Sequence, residues 1–355
     1  MLYILSQESI YDIKYQYIKV INMETRKVYV SGGSTYVISL PKKWVKKTNL
    51  KPGDSLVVTE HGSSLQIETG IIEKEARTKE IKISQVTSSE ALERILIAFY
   101  LVGYDTIKIK LDRKDHLAYR EIIRNILDYL IGVEIVEDTN EAMTLEIMLD
   151  YKRIGTVPIL QRMFSINKSM LLDLGKALKN MDMGLTKDII VREKEIDRLY
   201  FLVVRQLKSA VEYPQVTEKL GIESQRDCLG YRIVVKVLER IADHIENIAK
   251  SYVQLSGLQK EAHLDQYIEL ANSTVTTFEK SIQALFTRDD EKAEIVFHEL
   301  KKIEKSQSDI SKGLFKIEDI QSAILMKTML DSLGRIASYS GDIAEVAINM
   351  STEVS

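Results

Sequence analysis

Two periods of hydrophobic positions divide the chain. Up to Tyr151, apolar residues mostly fall in short β-branched or aromatic runs broken by Gly, Pro, Asn and Asp. Beyond Pro158 they return every three to four positions to the end of the chain. The first pattern is that of strands in small α/β units, and the second is that of amphipathic helices packed together. The helical stretch predicts three long helices, Ile159 to Asp182, Leu185 to Glu212 and Ser224 to Leu255, with breaks at Gly184 and around Pro214. Three more are expected at Ala262 to Phe286, Arg288 to Phe315 and Glu318 to Met350. Similar lengths in the same order point to a duplicated three-helix bundle, spanning 158–257 and 258–350.

The first half holds two blocks. In 24–70, strands are expected at Arg26 to Val30 and Thr35 to Leu40 around the turn Ser31-Gly32-Gly33-Ser34. Pro41 suits the first turn of a short helix, Lys42 to Thr48, with Trp44 and Val45 on its packed side. Lys51-Pro52-Gly53-Asp54 turns into two further strands, Ser55 to Glu60 and Leu65 to Thr69. A unit this small cannot bury a core alone, so dimerisation through its strands is expected. In 78–151 the order is strand (80–84), helix (90–102, capped by Ser88), strand (105–110), helix (115–131) and two strands (133–137 and 144–149), an α/β sandwich serving as spacer or dimerisation element. Residues 1–23 show no period. Met23 is the expected natural start, and what precedes it reads as a non-native extension or loose arm.

Composition narrows the function. The 355 residues allow two or three domains, and the net charge of −3 gives no global field that would call for nucleic acid. The charge is nevertheless uneven. Between Glu24 and Asp54 there is no acidic residue, while Arg26, Lys27, Lys42, Lys43, Lys46, Lys47 and Lys51 all fall there. Either this is a solubilising lysine-rich helix, or a dimer doubles it into a surface for phosphate backbones. Cys228 is the only cysteine, which excludes an intrachain disulfide and a cysteine-based zinc site and fits a reducing cytoplasm. The longest apolar run, Ile95 to Gly103, is too short to span a bilayer.

Acidic pairs supply the remaining candidate chemistry. Glu239 and Asp243 stand four apart in Glu-Arg-Ile-Ala-Asp-His-Ile-Glu-Asn-Ile-Ala, with Asn247 one turn on, and Glu193 and Asp197 repeat the spacing upstream. Residues four apart share a helix face. Two such helices could build an oxygen-rich metal site, or both pairs could be solvated polar faces. No nucleophile–base pair accompanies the carboxylates, so no catalysis is expected.

Two family resemblances follow from these motifs. The run from Arg26-Lys27-Val28 through Gly32-Gly33, Leu40-Pro41, Lys46-Lys47 and Leu50-Lys51-Pro52-Gly53-Asp54 resembles the SpoVT/AbrB family of swapped-hairpin DNA-binding domains. That resemblance implies a DNA-contacting role for Arg26, Lys46 and Lys47 and a homodimer made by exchanged hairpins. The hairpin departs from the family pattern, with Ser34 and Thr35 where an arginine is usual. From Pro158 to Met350, the duplicated bundle and the Glu-Arg-Ile-x-Asp-His-x-x-Asn-Ile-Ala motif resemble the PhoU family. This implies a regulator of phosphate uptake that acts with a phosphate transporter or signalling protein, and metal binding by Glu193, Asp197, Glu239 and Asp243. Iron, zinc or magnesium is the expected ion. In the second repeat, Lys305 and Asp309, with Gly334 and Ser338, stand at the expected carboxylate positions, so no metal is expected there.

Together these features describe a multidomain α+β protein: a small swapped-hairpin β module, an α/β middle domain and an all-α PhoU-like bundle. This order resembles the phosphate uptake regulators of archaea. The expected function is a cytoplasmic, dimeric regulator that binds double-stranded DNA. The alternative is an adaptor that docks to a transporter without binding DNA.

Overall fold

The computed structural model describes residues 24–61, 63–69, 76–112, 116–150, 155–213, 215–258 and 264–352. The expectation for residues 1–23 lies outside these. The chain divides into two compact units at residue 75.

The N-terminal unit is two hairpins and a short helix. Strands β1 (Val28–Ser31) and β2 (Thr35–Ile38) pair antiparallel, with Gly32 and Gly33 at positive φ in the turn between them. Helix α1 (Lys42–Lys47) follows Pro41, and strands β3 (Leu56–His61) and β4 (Ser64–Thr69) form the second hairpin. Trp44 and Val45 are half-buried, while the four lysines of α1 face solvent. No residue of α1 is fully buried. The strands are still barer: Val28 is 61 %, Tyr36 77 % and Leu65 67 % exposed. One copy of this unit therefore has strand registers without a core to hold them.

The second unit begins with a four-stranded sheet in the order β5-β6-β8-β7, formed by β5 (Thr78–Lys82), β6 (Thr106–Lys110), β7 (Val133–Asp138) and β8 (Ala142–Ile147). β5 and β6 are parallel, and β8 runs antiparallel to both of its neighbours. Helices α2 (Ser89–Val102) and α3 (His116–Leu127) cover one face. Ile81, Ile107, Ile109, Met143 and Leu145 pack there against Leu92, Leu96, Tyr100 and Ile123. Ser88 caps α2 by accepting from Ala91 N, and Gly103, at φ 98°, ends it. Two expected boundaries shift. β5 ends at Lys82, because Ile83–Gln85 forms a single 3-10 turn. α3 stops at Leu127, where tighter turns through Leu130 bring Val133 into the sheet.

The rest of the unit is helical: α4 (Thr156–Asn180), α5 (Met183–Glu212), the unanticipated short α6 (Gln215–Lys219), α7 (Asp227–Gly257), α8 (Asp265–Thr287), α9 (Asp290–Leu314) and α10 (Ile320–Ser351). α4–α5–α7 and α8–α9–α10 are the two repeats. They join through their first helices, α4 on α8, and their third, α7 on α10, leaving α5 and α9 on the flanks. Gly230 of α7 lets α10 approach closely, since a side chain there would press on Val346 and Met350. Asp182 caps α5 and Asp289 caps α9, each accepting from the backbone N–H three residues on. Aligning the repeats on these caps pairs Asp173 with Lys280 and Arg192 with Glu299. Asp173–Arg192 (2.8 Å) and Lys280–Glu299 are both ion pairs between the first and second helices, so the repeats hold one bridge with its charges exchanged.

Candidate metal centre and nucleic-acid interface

The amphipathic stripes of α5 and α7 set the acidic site. Ile189 and Ile196 of α5, and Leu238, Ile241, Ala242 and Ile245 of α7, are fully buried. Residues out of phase with these stripes are carried to the edge of the helix–helix seam. Glu193 and Asp197 reach it from α5, and Glu239, Asp243 and Glu246 from α7. Carboxylate oxygens of Glu193, Asp197 and Asp243 all lie within 4.8 Å of one another. Glu239 stands apart from this trio. Its two oxygens accept from Lys236 Nζ at 2.5 and 2.6 Å, and that ammonium also lies 5.0 Å over the Tyr200 ring.

Burial and mutual repulsion make the cluster hard to ionise. The Glu193 carboxyl is pushed up to about 8, first by burial and then by the charges of Asp197, Glu246 and Asp243. Asp243 rises to about 6, through burial and then Glu239 and Asp197, with Lys236 opposing. Asp197 is also raised, mainly by burial and then by Glu239. A cation at the point where the three oxygens converge would relieve this repulsion, so the donor set fits a metal ion. All three donors are carboxylate oxygens, the chemistry of a hard cation.

Glu246 belongs to this electrostatic cluster and was missed in the sequence, although the spacing 239, 243, 246 places it on the same helix face. Asn247 and His244 instead turn toward α10. Asn247 Nδ2 donates to Ser332 Oγ at 3.1 Å, and His244 Nδ1 lies 3.3 Å from the same hydroxyl. His244 is thereby placed away from the carboxylates, and Cys228 is buried near the start of α7.

The second repeat requires a correction. The cap alignment sets Glu193 against Leu300 and Asp197 against Glu304. Lys305 and Asp309 are both exposed, and Asp309 pairs with Lys312 at 2.9 Å. On α10, Gly334, Ser338 and Gly341 correspond to Glu239, Asp243 and Glu246. Gln307 lies tightly against Gly334, and Leu300 against Gly341. In the second repeat an amide and an aliphatic side chain thus pack against the glycines that stand where the first repeat has Glu239 and Glu246.

In the N-terminal unit, Lys42, Lys43, Lys46 and Lys47 project from α1 opposite Trp44 and Val45, and Lys46 and Lys47 occupy the last turn. Cations there also oppose the partial negative charge of the helix end. Arg26 and Lys27 are exposed just before β1, and Arg26 is paired with Glu24.

Residues 160–252 and 267–347 each match the PhoU domain. The helical half is thus similar to a pair of PhoU domains. A further match, at 29–70, is to the MazE bacterial antitoxin described by antidote–toxin recognition. Among solved structures, PhoU from Pseudomonas aeruginosa is 19 % identical, with a TM-score of 0.50, over 55 % of this chain and 94 % of that one. The phosphate transport system regulatory protein PhoU from Streptococcus pneumoniae is 20 % identical, with a TM-score of 0.48, over 56 % and 95 %. No curated protein matches significantly. The PhoU repeats meet the expectation from the helix motifs. The N-terminal match joins the swapped-hairpin expectation to an antitoxin-type module of the AbrB kind.

Proposed function

We propose that this protein is a DNA-binding regulator of phosphate uptake, acting as a cytoplasmic homodimer. The observation that carries the reading is the joining, in one chain, of a basic MazE-type module to two PhoU domains. The bared strands of the N-terminal unit support dimerisation, because exchanged hairpins would bury the apolar surface that one copy leaves open. The clustered lysines of α1 would be doubled by that dimer into a surface for double-stranded DNA, with Arg26, Lys27, Lys42, Lys43, Lys46 and Lys47 as the contacts. Lysines supply point charge rather than the planar fork that reads guanine, so affinity would rest on the phosphate backbone.

The PhoU half would be the sensor or partner platform, facing a phosphate transporter or signalling protein. Glu193, Asp197 and Asp243 would hold a metal ion, with Glu239 beside them bound to Lys236. Iron, zinc and magnesium are the candidates, and an all-oxygen set favours magnesium or iron over zinc. The bound cation would neutralise the cluster and tie α5 to α7. Regulation would require metal, phosphate or a partner to favour one arrangement of the dimer over another. No helix among the described residues is long and apolar enough to cross a membrane.

The test is binding to DNA upstream of phosphate-transport genes, against random DNA of equal length, across a salt series. Selective binding that weakens steeply with salt is the expected result. Equal weak binding to both would reduce the lysines to general electrostatics. No binding at low salt would replace this reading with that of a PhoU-type adaptor docked to a transporter.

A further inference from the structure

Within the metal reading above, on which this rests, we propose that Lys236 decides whether the acidic seam offers a cation three carboxylates or four. Its ammonium holds Glu239 back from the other three until it is displaced. Oxygens of Glu193, Asp197 and Asp243 converge, and those of Glu239 do not join them. Yet Glu239 is close at hand. It shares a helix face with Asp243. After burial, its charge is the largest influence on both Asp197 and Asp243, and Lys236 opposes it at both.

Lys236 keeps Glu239 out. Its Nζ lies 2.5 and 2.6 Å from the two Glu239 oxygens, so one ammonium engages both. The Glu239 side chain is 13 % exposed, against 35 % for Lys236. A carboxylate so enclosed requires a cation beside it, and Lys236 fills that place. An ion seated on the other three carboxylates competes for the same two oxygens.

The ammonium has a second seat. It already lies 5.0 Å over the Tyr200 ring. Arg232 fixes that ring, lying 5.6 Å over it and donating to its hydroxyl at 3.2 Å. An aromatic face attracts an ammonium without occupying a carboxylate. The flexible lysine stem therefore lets Nζ leave Glu239 and keep the ring. Glu239 is then released as a further oxygen donor, which a hard cation takes up. The second repeat has lost these parts together. Where Gly334 replaces Glu239, Asp331 stands for Lys236 and Gln307 for Tyr200, and Asp331 is paired with Lys327.

The test uses the full-length chain. Calorimetry follows magnesium, and ferrous iron without oxygen, binding to the parent, K236M, E239Q and K236M/E239Q. Lysine acylation read by mass spectrometry follows the Lys236 amine in the parent chain and needs no substitution. Acylation of Lys236 should quicken several-fold when the ion saturates, with Lys312 unchanged. K236M should bind the ion about tenfold more tightly than the parent. The same change in the E239Q background should gain no more than about threefold, because there is no fourth carboxylate to release. Equal gains in both backgrounds, or an acylation rate that the ion leaves unchanged, would overturn this role of Lys236 and leave the metal site standing. Absence of binding in both the parent and K236M would overturn the metal reading itself.

Discussion

Arg205 of α5 donates from Nη1 to the main-chain carbonyl of Tyr100 at 2.5 Å, and its guanidinium lies 5.0 Å over the Tyr100 ring. Tyr100 closes the last turns of α2, so a bundle side chain helps to cap a middle-domain helix. Arg205 is only 1 % exposed, and its other terminal nitrogen is 3.4 Å from Asp105. Phe201, one turn earlier on α5, packs against the middle-domain core, and Arg77 reaches back to Glu212 and Tyr213. α5 thus carries both the acidic site and the seat of the middle domain.

Replacing Arg205 with Ala should cost about 3 kcal/mol, from the lost packing and the unpaired groups left behind. Urea unfolding measures the loss. Hydrogen exchange locates it: amides of α2 and β6 should exchange faster than those of α8 and α9. Uniform acceleration would show that Arg205 stabilises the whole unit rather than this seam.

The acidic cluster should make the metal-free protein less stable as pH rises. The folded values of Glu193 (about 8) and Asp243 (about 6) lie above those of an unfolded chain. Their stabilising contribution is therefore fully present below about pH 4 and is lost as pH climbs through 6 toward 8. Glu193→Gln should flatten the decline of Tm between about pH 5 and 8. At pH 8 it should gain about 1–2 kcal/mol, a figure discounted for solvent screening. Magnesium should raise the Tm of the parent chain at pH 8 and leave Glu193→Gln little changed. Equal shifts in both would place the ion elsewhere.

The exchanged ion pair permits a direct swap. Asp173→Lys or Arg192→Glu alone sets like charges together between α4 and α5, and each should cost about 1–2 kcal/mol. The double variant recreates the Lys280–Glu299 arrangement and should recover most of the loss. A double-mutant cycle by thermal unfolding gives the coupling. Additive losses would mean that Ser169 and Lys176, which also contact this pair, require its present polarity.

Neutralising Lys46 and Lys47 together to Gln should weaken DNA binding about equally on all sequences. The slope of log affinity against log salt should fall by roughly 0.9 for each phosphate contact removed. An unchanged slope would remove these two lysines from the interface.

Much of the architecture was legible in the chain because it depends on local periodicity. A return every 3.6 residues marks the long helices whatever they pack against, but the break expected at Gly184 falls earlier, at Met181 and the capping Asp182, and Gly184 lies in the first turn of α5. The pairing of Glu193 with Asp197, and of Glu239 with Asp243, was equally local, since four residues on a helix always share a face. What spacing cannot supply is the rotation of each helix against its neighbour, which is set by how the buried stripes interlock. That packing brings Glu193, Asp197 and Asp243 together, holds Glu239 to Lys236, admits Glu246, and turns His244 and Asn247 toward Ser332. It also decided which residues of α9 stand for the lost carboxylates. Leu300 and Glu304 occupy that seam and Lys305 and Asp309 do not, because a shift of five residues turns a helix about 140° beyond a full turn and carries a side chain from the seam to solvent.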